Sequence, residues 1–143
     1  MNIAFRVDSS LEIGTGHVMR CLTLADELKR LGNACRFVCR EHPGHLGDLI
    51  AKRGHGLTFL PAPSDSQRPP SINEPDNYEL WLGVPWQQDA KQTLDAIGPL
   101  KPDWLVVDHY SLDAAWERML AKAVGRVMVL DDLANRLDRK SVV

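Results

Sequence analysis

Short apolar runs alternate with amphipathic stretches along the 143-residue chain, and this alternation predicts a series of strands and helices. The run at 104–107 has no polar interruption, as expected for a parallel strand that is covered on both faces. The pattern predicts strands at 3–7, 34–39, 56–60, 104–107 and 127–130 and helices at 17–31, 46–53, 86–97 and 112–124. This order predicts an α/β fold, a Rossmann-like doubly wound parallel sheet with right-handed crossovers.

Two of the helices have a readable apolar face. We expect Ala115, Met119 and Ala123 to face inward from the helix at 112–124. Gly32 is expected to end the first helix in a left-handed conformation. The inward face of that helix is predicted to be Val18, Cys21, Leu22, Ala25 and Leu28.

The segment 61–85 differs in composition from the rest of the chain. Its first part, PAPSDSQRPPSINEP, holds five of the nine prolines and almost no apolar residue. This composition predicts an exposed loop, either a tolerated insertion or a functional segment. We expect Trp81, Leu82, Val84 and Trp86 to anchor the chain where it returns to the body of the domain.

Composition and charge exclude several classes of protein. A net charge of −2 gives no electrostatic basis for a nucleic-acid partner or an anionic membrane surface. The cysteines at 21, 35 and 39 are odd in number and form no CxxC pair, so neither a disulfide framework nor a zinc site is expected. Asp8 and Glu12 interrupt the apolar start, and no apolar run approaches the roughly 20 residues that span a bilayer. These features predict a cytoplasmic protein.

Polar residues follow three of the predicted strands directly. In open parallel sheets, ligands bind outside the carboxyl ends of the strands. We therefore expect three separate polar groups to converge on one edge of the sheet: Asp8 with Ser9 and Ser10; Asp108, His109 and Tyr110; and Asp131 with Asp132.

The loop after the first strand adds a second feature. Gly14 and Gly16 permit a tight turn and close approach to a ligand, with Thr15 between them. His17 then lies in the first turn of a helix, whose N-terminus favours anions. The same pattern is also compatible with an ordinary strand-to-helix turn that carries an incidental histidine.

Each edge residue has a structural alternative to a functional role. Asp8 is compatible with local loop hydrogen bonds, and Asp108 with capping of the following helix. His109 is compatible with a hydrogen-bonded structural role. Arg20 is compatible with a solvated face, or with holding an anion or a carboxylate.

The remaining edge residues are similarly ambiguous. Tyr110 is compatible with packing or with a sugar pocket. Asp131 and Asp132 are adjacent carboxylates without further candidate ligands, which favours backbone hydrogen bonds, and no metal site is expected.

The stretch FRVDSSLEIGTGHVMRCLTLADEL resembles the start of the nucleotide-sugar hydrolases of pseudaminic acid synthesis, which release UDP from a 2,4-diacetamido-2,4,6-trideoxy sugar. The segments WLGVPWQQDAKQT, KPDWLVVDHYSLDAAWE and VLDDLANR are similar to the same family, so the resemblance extends to about Arg136. The matching residues of the first stretch are Arg6, Asp8, Ser9, Ser10, Ile13, Gly14, Gly16, His17 and Arg20.

The resemblance implies a role for these residues. His17 would be the catalytic base that deprotonates water for attack at the anomeric carbon, with inversion and without a metal or cofactor. The residues expected to contact the UDP-sugar substrate are Arg6, Asp8, Gly14, Thr15, Gly16, Arg20, Asp108, His109, Tyr110, Asp131 and Asp132.

It also implies a domain organisation. Residues 1–136 would form the N-terminal half of a two-domain, glycosyltransferase-B-like architecture, and 137–143 a tail or the start of a linker. The nucleotide-binding C-terminal domain is absent from this chain and would belong to the same protein or to a separate chain. Two alternatives remain open: half of a glycosyltransferase, and a non-catalytic sugar-binding or docking module.

Overall fold

A five-stranded, all-parallel sheet organises the chain in the computed structural model, which describes residues 1–10, 13–63, 82–109 and 111–130. The strand order is β3-β2-β1-β4-β5. The elements are β1 (Asn2–Val7), α1 (Gly16–Arg30), β2 (Ala34–Arg40), α2 (Gly47–Lys52), β3 (Gly56–Leu60), α3 (Trp86–Ile97), β4 (Trp104–Asp108), α4 (Ala114–Ala121) and β5 (Arg126–Val129), with a short 3₁₀ turn at Gly98–Leu100. The predicted α/β, Rossmann-like fold is confirmed.

The sheet is covered on both faces, because successive side chains of a strand point to opposite sides. In β1, Phe5 faces α1 and α2, where its ring stacks on Phe37 at a centroid distance of 4.8 Å. Ala4 faces the opposite side, where α3 and α4 pack. Two apolar cores result, and together they hold the carboxyl ends of the strands in place.

The first helix follows the sequence prediction closely. Val18, Cys21, Leu22 and Ala25 are buried against the sheet, and Leu28 packs on the same core from its edge. Gly32 has a φ of +96°. The amide of Gly32 donates to the carbonyl of Lys29, and the amide of Asn33 donates to the carbonyl of Leu28. This is the expected glycine-ended helix.

The inward face of α4 differs from the prediction. Ala115 and Ala123 are half-buried and Met119 is exposed, whereas Leu112, Trp116 and Leu120 are fully buried. The predicted and observed stripes have the same four-residue spacing, and the observed stripe is displaced by three residues towards the N-terminus. Packing against α3 selects the stripe with the larger apolar side chains.

Of the returning segment, Leu82 and Val84 are buried in the core and Trp86 packs against it, as predicted. Trp81, and residues 64–80 of the proline-rich stretch, lie outside the described residues. Cys21, Cys35 and Cys39 are buried core residues without disulfides. In the described part of the chain, no helix combines the length and apolarity that crossing a membrane requires.

Candidate functional site

The predicted edge is formed where β1 and β4 lie side by side, with Val7 in register with Asp108. The two aspartates of this edge point to opposite faces of the sheet. Asp108 lies on the α1 side, where it meets the side chains of α1. Asp8 lies on the α3 side, where its carboxylate bonds to Arg6. The edge therefore carries two separate polar clusters.

The loop that leads into α1 is tightly held. The amide of Gly14 donates to the carbonyl of Ser10 at 2.9 Å, and the amide of Ile13 donates to the Ser10 hydroxyl at 2.9 Å. The hydroxyl of Ser9 accepts from the amide of Leu46 at 3.0 Å, which ties this loop to the one after β2. These bonds fix the point at which the helix begins.

The two glycines of the loop differ in their conformational demands. Gly14 has a φ of +83°, a conformation that residues with a Cβ atom adopt only at a cost. Gly16 is the first helical residue, and a Cβ atom there would meet open space. Of the two glycines, Gly14 alone has a positive φ, while Thr15 and Gly16 form an exposed helix start.

His17 and Asp108 form a hydrogen-bonded pair at this helix start. His17 Nδ1 lies 2.6 Å from Asp108 Oδ1, and the imidazole is 11% exposed. Arg20, one turn further along α1, holds both oxygens of the same carboxylate, through Nε to Oδ2 and through Nη2 to Oδ1 at 2.6 Å. The sequence separation of 91 residues between His17 and Asp108 is closed by the pairing of β1 with β4.

Asp108 is an anion in this setting. Burial raises the pKa of its carboxyl, but hydrogen bonds from Arg20 and His17 outweigh burial and bring the pKa below its ordinary value. The thiol of Cys21 also points at Asp108 Oδ2, at 3.6 Å. Burial and the nearby carboxylate raise the pKa of Cys21 well above its usual range, so this thiol is neutral. Because Asp108 only accepts hydrogen bonds, His17 must carry its hydrogen on Nδ1.

The suggested capping role of Asp108 is wrong. The cap of α4 is Asp113, whose carboxylate accepts from the amides of Ala115 at 3.1 Å and Trp116 at 3.4 Å. Asp108 instead ends β4 and faces α1. Of the alternatives for Arg20, the structure shows the pairing with a carboxylate.

The second cluster lies beneath the edge on the α3 side and is fully buried. Asp8 accepts four hydrogen bonds, two from the Arg6 guanidinium, one from the amide of Arg40 and one from His109. Burial raises the pKa of Asp8, but the Arg6 charge and the His109 hydrogen bond hold it well below its usual range. The predicted substrate contacts of Arg6 and Asp8 are untested, and both side chains have internal partners.

His109 is held as a neutral imidazole within this cluster. Its Nε2 donates to Asp8 Oδ2 at 2.9 Å, and its Nδ1 accepts from the amide of Ser111 at 3.1 Å. Burial lowers the pKa of His109 despite the nearby Asp8 carboxylate. These contacts match the structural alternative, because both ring nitrogens already have partners inside the protein.

The sequence analysis did not identify Asp89 on α3, the carboxylate that connects the two arginines of this cluster. Its carboxylate accepts from Arg6, from Arg40 Nη2 at 2.8 Å and from Trp116 Nε1 at 2.9 Å. A signal was present, since Asp89 lies on the inward stripe of α3 with Ala90, Thr93 and Ile97. A lone carboxylate on such a stripe indicates a buried cationic partner.

The rest of the predicted edge is only partly visible. Tyr110, Asp131 and Asp132 lie outside the described residues. A cavity of about 410 Å³ opens beside the edge at the end of β2, lined by Glu41, His42 and His45 among others. In the described ranges, no group of three or more His, Cys, Asp or Glu side chains is arranged to hold a metal.

The fold and the site together define a Rossmann-like domain with an imidazole–carboxylate pair at the carboxyl edge of its sheet. Among solved structures, the chain is similar to the calicheamicin glycosyltransferase CalG4, with a TM-score of 0.61 and 21% sequence identity. The similarity covers 90% of this chain but only 31% of CalG4, and at this identity it shows the fold alone. Neither a protein-family model nor a curated protein matches the sequence.

Proposed function

We propose that the chain is the N-terminal part of a cytoplasmic hydrolase that releases UDP from a UDP-2,4-diacetamido-2,4,6-trideoxy-hexose in pseudaminic acid synthesis. The observation that carries the proposal is the His17–Asp108 pair at the start of α1. The resemblance of residues 5–28 to hydrolases of this pathway supports the substrate class. The similarity to a glycosyltransferase supports the Rossmann-like fold that the proposal requires.

In this reaction His17 acts as the general base. Because Nδ1 donates to Asp108, Nε2 carries the lone pair that takes a proton from water. The water oxygen bonds to the anomeric carbon while the bond from that carbon to the UDP oxygen breaks, and UDP leaves with the electron pair. Attack opposite the leaving group inverts the anomeric centre. Asp108 stabilises the imidazolium that forms.

The leaving group requires a partner for this chain. A C-terminal nucleotide-binding domain, in the same or a separate chain, would hold the diphosphate with backbone amides, so the reaction needs no metal or cofactor. The chain spans less than a third of the length of CalG4. Neither nucleic acid nor a membrane is a partner in this proposal.

A second candidate is the corresponding half of a glycosyltransferase, since CalG4, a glycosyltransferase, has a similar fold. There the same base would deprotonate an acceptor alcohol instead of water. A third candidate, a sugar-binding or docking module, would show no turnover at all.

Product analysis in ¹⁸O-labelled water separates these candidates. The two-domain protein is incubated with the diacetamido UDP-sugar, with and without acceptor alcohols. The proposal predicts UDP and a free sugar that carries ¹⁸O at the anomeric carbon, with inverted configuration. An unlabelled glycoside that forms only with an acceptor would show that the protein is a transferase. Absence of UDP release under both conditions would support the sugar-binding or docking module.

A further inference from the structure

The cavity of about 410 Å³ at the end of β2 has no role in the proposed reaction as described so far. The Ser9 hydroxyl accepts from the amide of Leu46 at 3.0 Å, which places the loop after β2 directly against the loop that leads to His17. The cavity therefore lies at the same carboxyl edge of the sheet, where parallel sheets bind their ligands. Its lining residues are Glu41, His42, Pro43, Gly44, His45 and Ala62.

The loop after β2 is held in one shape by its own contacts. The amide of His42 donates to the carbonyl of Arg40 at 2.8 Å, and the amide of His45 donates to the carbonyl of His42 at 3.2 Å. Gly44, between the two histidines, has a φ of +85°. The ring of His45 packs against that of Phe59 at a centroid distance of 4.7 Å. The cavity is thus formed in advance, which lowers the cost of ordering the loop when a ligand binds.

Two polar groups of the lining have no partner within the described residues. His45 Nδ1 accepts from the amide of Gly47 at 3.1 Å, so the ring carries its hydrogen on Nε2, and this donor has no acceptor there. The exposed carboxylate of Glu41 has neither a donor nor a cation beside it. His42 differs, because it is buried and its Nε2 lies 3.6 Å from Asp8 Oδ2. The cavity therefore offers one free donor and one free anionic acceptor.

These two groups select a neutral part of the substrate. A carboxylate without a cationic partner repels phosphate, so the diphosphate is disfavoured in this cavity. An acetamido group has an N–H that a carboxylate accepts and a carbonyl oxygen to which an imidazole N–H donates.

We propose that the cavity is the subsite for an acetamido group of the sugar, with Glu41 accepting from its N–H and His45 Nε2 donating to its carbonyl oxygen. The inference rests on the proposed function for the identity of the substrate. It makes Glu41 and His45 residues that determine specificity, and neither takes part in the transfer of the proton.

Nuclear magnetic resonance of the 143-residue chain tests the subsite without turnover. N-acetylglucosamine is added up to about 50 mM, a range that covers millimolar dissociation constants, and glucose, which lacks the acetamido group, is added in a parallel titration. We expect the backbone amide signals within residues 41–45 to shift saturably with N-acetylglucosamine and not with glucose. Absence of these shifts, or equal shifts with glucose, would overturn the inference.

Variants of Glu41 assign the contact to its side chain. E41A should weaken the binding of N-acetylglucosamine about tenfold, because a hydrogen bond to a charged acceptor is lost. E41Q keeps an acceptor oxygen and should weaken it less. The matched control is E27A, which removes another exposed carboxylate, on α1, and should leave binding unchanged.

In the two-domain protein, E41A should raise KM for the diacetamido UDP-sugar about tenfold, with little change in kcat and none in the affinity for UDP alone. A parent-like KM in E41A would overturn the subsite. If UDP is released from this sugar while E41A binds and turns over like the parent, only the subsite is wrong. If the cavity binds N-acetylglucosamine selectively while the two-domain protein releases no UDP, the subsite stands and the proposed hydrolysis is wrong.

Discussion

At the scale of single residues, two histidines near the same edge have opposite environments. His17 contacts Asp108 and keeps 11% of its side chain exposed, whereas the His109 side chain is 2% exposed. His109 uses Nε2 for Asp8 and Nδ1 for the amide of Ser111, so protonation would cost it an accepted hydrogen bond. The proposed function therefore uses His17 and not His109 for proton transfer, although the sequence marks both.

Gly14 and Gly16 give a matched pair of variants. Gly14→Ala should lower the free energy of unfolding by roughly 1–2 kcal/mol, because alanine is strained at a φ of +83°. Gly16→Ala places a methyl group in open space at the first helical position and should leave stability nearly unchanged. Urea denaturation of both variants measures the difference. Equal stability of G14A and the parent would show that the loop does not need its glycine.

At the scale of elements, the hydrophobic pattern predicts the order and approximate bounds of strands and helices but not every contact face. The α4 sequence contains two stripes of equal spacing, and only packing on α3 selects Trp116 over Met119. Similarly, Asp108 and Asp113 both precede α4, and only the geometry shows that Asp113 is the cap. Local sequence holds both alternatives in each case, and tertiary contacts decide between them.

The N-terminal cap of α4, Asp113, gives the second prediction. Asp113→Ala should destabilise the domain by about 1 kcal/mol, since the amides of Ala115 and Trp116 lose their acceptor. Asp95→Ala, which removes an exposed carboxylate from α3, serves as the control and should change stability little. Chemical denaturation gives both values. If D113A is as stable as D95A, the capping assignment fails.

At the scale of the whole molecule, long-range pairs build a separate polar cluster on each face of the sheet. The carboxyl ends of parallel strands lie at the same edge of a sheet, and this rule correctly placed Asp8 and Asp108 together. It could not pair Arg40 with Asp89, 49 residues away, or His17 with Asp108, 91 residues away. Such pairs depend on which face each helix covers, and this is settled only when the complete sheet packs.

The two polar clusters make the stability of the folded protein depend on pH in a defined direction. His109 is buried as a neutral ring with a lowered pKa. As the pH falls below about 6.5, this histidine therefore takes up a proton in the unfolded chain before it does so in the folded protein, and the free energy of unfolding decreases. Asp8, Asp89 and Asp108 have pKa values below the ordinary 3.8, and their contribution is lost on further acidification below about pH 4. Denaturation midpoints should therefore decline in two stages. Constant stability from pH 7 down to about 4.5 would contradict the His109 assignment.

The isolated chain gives the next prediction at this scale. It should fold, because it forms a complete parallel sheet with two cores. It should not hydrolyse the diacetamido UDP-sugar at a useful rate, because the proposed contacts to the diphosphate belong to a second domain. Calorimetric titration with UDP and an assay of UDP release measure both properties. Rapid turnover, or binding of UDP tighter than about micromolar, would place a complete nucleotide site within these residues.

The turnover of His17→Ala in the two-domain protein tests the central claim most directly. The matched control is His55→Gln, which breaks another His–Asp pair, that of His55 Nε2 with Asp26 Oδ1 at 2.8 Å, just before β3 at the opposite edge of the sheet. Loss of a general base predicts that kcat for UDP release falls by roughly 10²–10⁴-fold in H17A, with only a small fall in melting temperature, while H55Q keeps nearly the parent rate per folded molecule. Parent-like turnover in folded H17A would contradict the account, because water would then be activated by some other group.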